Sequence, residues 1–131
     1  MYVPMKVGTA LLALTLLVMP AVAADLTASP VGTWVSADGQ TKVKVTLCGD
    51  GTQLCAKLTG LSGRAKTAEN VQLLNHYVVD RADRASDSSW KGVVHFNGET
   101  AIGNIELVSM DTITLSGCQL GMCKSFQFKR I

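Results

Sequence analysis

Apolar and polar residues alternate in several short runs of the chain, with the period of two that a half-buried β-strand shows. In the clearest run, TKVKVTL, the side chains of Val43, Val45 and Leu47 share one face, and lysines and threonines share the other. Further runs of this kind are LCAKLTGL (54–61), SWKGVVHF (89–96), TITL (112–115) and KSFQFKRI (124–131). The pattern therefore predicts strands in these places.

The runs are separated by dipeptides that favour tight turns, among them Asp38-Gly39, Asp50-Gly51 and Asn97-Gly98. Only the stretch 62–89 lacks the strand rhythm, although its start fits a short helix and NHYVVD (75–80) fits a strand. About seven or eight strands joined in order by tight turns predict an all-β fold, a small antiparallel up-and-down barrel. A two-sheet sandwich is the structural alternative.

The first 24 residues have the pattern of a secretory signal peptide. Lys6 precedes the apolar run VGTALLALTLLVMPAVAA, and Ala21 and Ala23 have the spacing that a signal peptidase reads. The apolar core is shorter than the roughly 20 residues that a membrane span needs. We expect a signal peptide at 1–24 and one barrel domain at 25–131, exported to the periplasm or secreted, with an uncleaved N-terminal anchor as the alternative.

The charge of the chain disfavours nucleic acid as a partner. The sequence has twelve Lys and Arg residues against ten Asp and Glu, and no block of like charge. Nucleic-acid binders concentrate positive charge on one face, and this chain lacks that signal. The length of the expected domain suits a single small core.

The four cysteines all lie in the part expected to be exported, where an even number favours disulfides. Cys48 and Cys55 bracket GDGTQL, and Cys118 and Cys123 bracket QLGM. Each pair flanks its own predicted hairpin, so we predict the disulfides Cys48–Cys55 and Cys118–Cys123. The two spacings differ, no histidine completes a zinc set, and no Cys-x-x-Cys redox motif occurs. We therefore expect no metal and no cofactor.

Two segments carry motifs that occur together in a known family. SPVGTWVSADGQTKVKVTLCGDGTQLCAKLTGL (29–61) has a Pro-x-Gly-x-Trp element, a strand that ends in Cys, and a Leu-Cys pair. The segment 90–131 has a Trp-x-Gly strand, a Gly-x-Thr hairpin, a Gly-Cys strand and a last strand with a terminal basic residue. In these features the chain resembles the domain of unknown function 2147 family of small exported bacterial proteins. It departs from that family at Val71, where a proline usually follows the asparagine, and at Ala101, where a tyrosine is usual.

The resemblance implies a lipocalin-like or calycin-like barrel. In such barrels a Gly-x-Trp element on the first strand packs against a basic residue on the last strand and closes one end. Gly32, Trp34 and Arg130 match this arrangement. By strand parity Arg130 shares a face with Phe126 and Phe128, and a guanidinium over an indole ring is a favourable contact.

Residues suited to catalysis are few. The strand pattern places His95 on the outer face, and we expect His76 to be half-buried and hydrogen-bonded. The run DRADRASD (80–87) is interpreted as a solvated loop with local ion pairs, because it lacks the glycine and ligand spacing of a calcium loop. No nucleophile elbow or phosphate-binding loop occurs. We expect no enzyme; an activity that combines His76 with an acidic residue of 80–87 is the remaining alternative.

Eight-stranded barrels are either filled by side chains or hold one small ligand. The inward face of the predicted strands is apolar, and its candidate ligand contacts are Val43, Val45, Leu58, Trp90, Val94, Phe96, Phe126 and Phe128. A pocket among them would lie under the segment 62–89. The sequence thus favours a non-enzymatic exported barrel that binds a small apolar ligand, such as a lipid or fatty acyl chain. A filled barrel with a structural or protein-interaction role in the cell envelope is the alternative.

Overall fold

The structure, a computed structural model, describes residues 28–131 and, apart from them, Pro4. Eight strands form one closed barrel, and each strand pairs antiparallel with the next along the chain. The strands are β1 (Gly32–Ser36), β2 (Thr41–Cys48), β3 (Gln53–Leu61), β4 (Tyr77–Ser86), β5 (Ser89–Phe96), β6 (Glu99–Ser109), β7 (Thr112–Gln119) and β8 (Met122–Arg130). The predicted all-β up-and-down barrel is confirmed, and the sandwich alternative is wrong. The predicted signal peptide at 1–24 falls outside the described domain.

The connections between strands divide the barrel into two ends. The end that we call the closed end carries the connections 49–52, 87–88 and 110–111, together with the start of β1 and the end of β8. The opposite, open end carries the connections 37–40, 62–76, 97–98 and 120–121. The connection 62–76 contains a 3-10 turn (Gly63–Ala65) and the helix α1 (Ala68–Gln72). No helix within residues 28–131 is long and apolar enough to cross a membrane.

Arg130 fastens the closed end. Its guanidinium lies 4.4 Å from the ring centroid of Trp34, whose side chain is fully buried and which faces Arg130 in the pairing of β1 with β8. Nη1 donates to the carbonyl of Val31 at 2.7 Å, Nη2 to that of Ser29 at 2.6 Å, and Nε to that of Met110 at 2.7 Å. The last strand is thereby tied to the segment before β1 and to the β6–β7 turn.

Gly32 makes room for this arrangement. A Cβ atom at Gly32 would lie 2.7 Å from Nη1 of Arg130, and the backbone at Gly32 has a φ of +150°. Any side chain at this position would push against the guanidinium and would strain the backbone. Gly32, Trp34 and Arg130 therefore form one structural unit at the closed end.

The segment 80–86 is part of a strand, so its interpretation as a loop is wrong. It belongs to β4, which starts at Tyr77 and pairs with β3 and β5 through several register shifts. Val78 and Val79 are both buried, the next buried residue is Ala82, and Arg81 has a φ of +53°. The predicted strand within 75–80 thus coincides with the start of β4. The bulged backbone then removes the period of two, which is why the sequence pattern did not reveal that the strand continues to Ser86.

The two predicted cysteine pairs are confirmed. Cys48–Cys55 joins β2 to β3, and Cys118–Cys123 joins β7 to β8. No cysteine among the described residues is free. The pairs differ in their surroundings: Cys55 is 3% exposed, whereas Cys118 and Cys123 lie on the exposed part of their hairpin.

Three hairpin turns contain an aspartate that closes the turn. In each case a serine or threonine hydroxyl donates to the carboxylate, and this hydrogen bond is the main cause that lowers the pKa of the carboxyl group from its ordinary value of 3.8. We call these residues the turn aspartates: Asp38, Asp50 and Asp111.

Candidate ligand-binding cavity

The side chains on the inner face do not fill the barrel. A cavity of about 490 Å³ lies inside it. Its lining includes residues from all four connections or hairpins of the open end and none from the connections of the closed end, so the cavity opens at the open end. Of the eight residues expected to contact a ligand, seven line the cavity: Val43, Val45, Leu58, Val94, Phe96, Phe126 and Phe128.

Trp90, the eighth expected contact, does not line this cavity. Its side chain is 2% exposed, and Nε1 donates to the carbonyl of Thr52 at 2.8 Å in the β2–β3 connection. The guanidinium of Arg84 lies 5.7 Å from the Trp90 ring. Trp90 therefore packs at the closed end of the barrel. It is the second residue of β5, next to the connection 87–88, and so it lies between the cavity and the closed end.

Small residues on the inner wall help to create the space. Gly103 and Gly117 both line the cavity and face each other across β6 and β7, and Gly103 also faces Gly92 on β5. A Cβ atom at Gly103 would lie 2.8 Å from a methyl group of Val94, so a side chain there would displace the wall. The sequence pattern did not indicate this row: Gly92 lies inside a predicted strand, but Gly103 and Gly117 lie outside the predicted runs.

Several inward side chains remain accessible because they face the cavity. Phe126 is 50% exposed although it lies on the inner face of β8, and Val94, Phe96 and Leu115 are only half-buried. An accessible apolar concavity of this kind is the usual form of a binding site for a small molecule. It also leaves apolar surface in contact with water, so occupation by an apolar group would be favourable.

The connection 62–76 covers one side of the open end, and we call it the lid. Gln40 fixes its first part: the backbone carbonyl of Gln40 accepts a hydrogen bond from the Ser62 amide at 2.8 Å, and Oε1 accepts one from the Ala65 amide at 3.1 Å. Gln40 belongs to the β1–β2 connection, so these bonds attach the lid to the neighbouring hairpin.

Asn70 fixes the lid on its other side. Its side chain is fully buried; Nδ2 donates to the carbonyl of Ala65 and to Oδ1 of Asn97, both at 2.8 Å, and Oδ1 accepts from the Asn97 amide at 2.9 Å. Because Asn97 lies in the β5–β6 turn, the lid is tied to the turns on both sides. No local sequence pattern indicates this role, because it depends on a contact between residues 27 positions apart.

The opposite side of the open end is formed by residues 118–126, which we call the stapled hairpin. The pairing of β7 with β6 ends at Gly117, and the pairing of β8 with β1 ends at Phe128, so the residues nearer the tip pair with neither neighbouring strand. Within the hairpin the strands still pair with each other, and the Cys118–Cys123 disulfide joins them. Leu120 at the tip is 97% exposed. The mouth of the cavity thus lies between the lid and the stapled hairpin.

Four charged side chains from different segments line the mouth: Asp38 from the β1–β2 turn, Arg64 from the lid, Glu99 from the start of β6, and Lys124 from the stapled hairpin. Asp38 is engaged as a turn aspartate. Between residues 28 and 131, the side chains of Arg64, Glu99 and Lys124 form no hydrogen bond or ion pair; the ion pair found there joins Asp80 and Arg81 at 3.3 Å.

Neither histidine lines the cavity. His76 is exposed, so the expectation that it is half-buried is wrong; it contributes backbone hydrogen bonds at the end of the lid. His95 lies on the outer face as expected, with Nδ1 2.9 Å from Oγ1 of Thr100. The described part of the chain contains no group of three His, Cys, Asp or Glu residues placed to hold a metal ion.

The fold and the cavity together define the class: a closed antiparallel β-barrel of eight strands with an apolar cavity that opens at one end. No protein-family model, no curated protein and no solved structure matches the chain. The resemblance to the domain of unknown function 2147 family therefore stays a prediction from the motifs of the sequence.

Proposed function

We propose that this protein is a non-enzymatic exported binding protein that holds a small apolar ligand, such as a fatty acyl chain, inside its barrel. The cavity is the observation that carries the proposal. Its volume of about 490 Å³ lies in the range of roughly 300–1,000 Å³ typical of small-molecule pockets. It is also about three times the size of an engineered apolar cavity of about 150 Å³ that binds benzene.

The lining suits a hydrocarbon chain better than a polar metabolite. Val43, Leu58, Phe96 and Phe126 present apolar surface to the interior, whereas charged side chains line the cavity only at the mouth. Each methylene group that leaves water for such a lining gains about 0.8 kcal/mol, which corresponds to a roughly fourfold lower Kd. Affinity should therefore rise with chain length until the cavity is filled.

The proposal places the protein outside the cytoplasm, with the periplasm as its compartment. The two cysteine pairs support an oxidising environment, in which disulfides form and persist. The pattern of residues 1–24 and the resemblance to a family of exported proteins support the same compartment. Retention in the periplasm rather than secretion is part of the proposal.

A displacement assay tests the proposal. Purified, delipidated protein is titrated with a dansyl-labelled fatty acid, and straight-chain fatty acids of increasing length then compete for the site. We expect saturable binding, displacement, and a Kd that falls about fourfold per added methylene before it levels off. The absence of any saturable binding, together with a bare polypeptide mass in native mass spectrometry of protein from its own host, would refute the proposal.

Ala101 offers a matched set of variants for that assay. It lines the cavity and faces Val94 across β5 and β6. Ala101→Phe places a ring in the cavity and should weaken binding at least about tenfold, whereas Ala101→Ser keeps the volume and should bind nearly as wild type. Thr100→Phe adds the same ring to an exposed neighbour and is the control for a surface effect.

A protein-interaction module is the second candidate, supported by the apolar tip of the stapled hairpin. Leu120 is 97% and Met122 68% exposed. This candidate does not involve a filled barrel, because the barrel contains the cavity. Crosslinking and pull-down from periplasm distinguish the two: a reproducible protein partner that is lost in Leu120→Ser, together with no fatty-acid binding, would favour the interaction module.

A further inference from the structure

The interior of the barrel has no place for a charged head group. Below the mouth, the polar side chains of the cavity lining are hydroxyl groups, and that of Ser36 already hydrogen-bonds to Asp38 and to the Thr41 amide. Transfer of a charge into such a lining is unfavourable unless the charge is paired. An amphiphilic ligand would therefore insert its apolar tail and leave its head group at the mouth.

The mouth has more uncommitted positive than negative charge. Asp38 accepts hydrogen bonds from the Ser36 hydroxyl and the Gln40 amide, which lower its pKa and keep it ionised within the turn. Of the three mouth residues without a partner in the described part of the chain, Arg64 and Lys124 are cations and Glu99 is an anion.

Lys124 is placed to meet a head group whose tail contacts Phe126. Both residues line the cavity and lie on the same face of β8, with Lys124 two residues nearer the tip of the stapled hairpin. Two residues of a strand span about 7 Å. The residue that faces Lys124 on β7 is Gly117, which has no side chain that could shield or pair the ammonium group.

The remaining charges of the mouth restrict where an anion would lie. Glu99 begins β6 and would repel an anion from the β5–β6 side, and Asp38 would repel it from the β1–β2 turn. Arg64 lies on the lid, across the mouth from the stapled hairpin. The attractive positions are thus the stapled hairpin and the lid.

We propose that the ligand is a single-chain amphiphile with an anionic head group, which Lys124 binds at the mouth with a contribution from Arg64. The inference rests on the proposed function, because it assigns the head group of the ligand whose tail occupies the cavity. The head group is a carboxylate or a phosphate monoester; both present anionic oxygens to an ammonium and a guanidinium.

Chain-matched ligands separate the head group from the tail. Dodecanoic acid, dodecyl phosphate, dodecanol and dodecylamine are titrated into the delipidated full-length mature protein by calorimetry at about pH 8, where carboxylic acids are ionised. We expect wild type to bind the acid or the phosphate about five- to tenfold more tightly than the alcohol, with an advantage that shrinks at high salt. The better of these two ligands identifies the head group.

Variants assign the contact to a residue. Lys124→Met should remove most of the advantage of the anionic ligand and leave dodecanol binding within about twofold of wild type, and Arg64→Met should remove a smaller part. Lys44→Met, which changes an exposed lysine on the outer face of β2, is the matched control. Equal affinity of acid, phosphate and alcohol in wild type, tightest binding of the amine, or an equal effect of Lys124→Met on all ligands would overturn this inference and leave the cavity as the binding site. Failure of all four ligands to bind would instead refute the proposed function itself.

Discussion

Replacement of Arg130 by alanine should strongly destabilise the barrel. The change removes three hydrogen bonds from a charged group to the carbonyls of Ser29, Val31 and Met110, and it uncovers the ring of Trp34. Arg130 is half-buried, so water replaces part of the loss, and each bond contributes about 1 kcal/mol rather than the larger value of a fully buried charged pair.

The contact with the indole ring adds about 0.5–2 kcal/mol. The free energy of unfolding should therefore fall by about 3–5 kcal/mol, a large part of the roughly 5–15 kcal/mol typical of a single domain. Arg130→Lys keeps the charge but loses the planar fork that reaches three carbonyls at once, and it should recover less than half of that difference.

Thermal and urea unfolding, followed by circular dichroism, measure the effect. At about 4–8 °C per kcal/mol for a domain of this size, the Tm of Arg130→Ala should fall by at least about 12 °C. Arg64→Ala is the control, because Arg64 is an exposed arginine of the lid. The conclusion that the contacts of Arg130 stabilise the closed end would be wrong in either of two cases: if Arg130→Ala lowered the Tm no more than Arg64→Ala, or if the Tm of Arg130→Lys equalled that of wild type.

Two further predictions concern the lid and the turns. Asn70→Ala removes three hydrogen bonds, to the carbonyl of Ala65 and to the side chain and amide of Asn97, and should cost about 2–3 kcal/mol. It should also make the lid the first site of limited proteolysis, whereas Asn104→Ala on the exposed face of β6 should do neither. The turn aspartates have a pKa lower in the folded than in the unfolded chain, so their contribution to stability is complete above the ordinary value of 3.8 and is lost as the pH falls through the lowered values. Urea midpoints measured from pH 7 downwards should stay level until about pH 4 and then decline, and a constant midpoint down to pH 2 would contradict the assignment.

Much of the barrel was predictable because its signals are local. Val43, Val45 and Leu47 alternate with lysines and threonines, and the three Asp-Gly and Asn-Gly dipeptides coincide with hairpin turns. Each cysteine pair spans a single hairpin turn, which restricted the disulfide pairing without knowledge of the rest of the fold. Only the start of β4 was predicted, because its bulges and the left-handed residue Arg81 interrupt the alternation on which the prediction depends.

The candidate site was predictable only in part. Strand parity identified seven residues that line the cavity, but parity assigns a face and not a depth, so Trp90 was grouped with them although it packs at the closed end. Asn70 and Gln40 gave no local signal, because their role is to join the lid to turns that are distant in the sequence. The expectation that His76 is half-buried failed for the same reason, since its exposure depends on how the lid ends.

The sequence by itself determined most of the strands, the turns and the cysteine pairs, because each follows from residues within a few positions of one another. Only the tertiary structure decided that the barrel has a cavity, where the cavity opens, and which charges surround its mouth. The volume of the interior depends on the combined size of the inward side chains from all eight strands. Gly103 and Gly117 add no side chain to it and so leave space. The position of Lys124 at the mouth depends on where the stapled hairpin stops pairing with β6 and β1, which the register of the closed sheet decides.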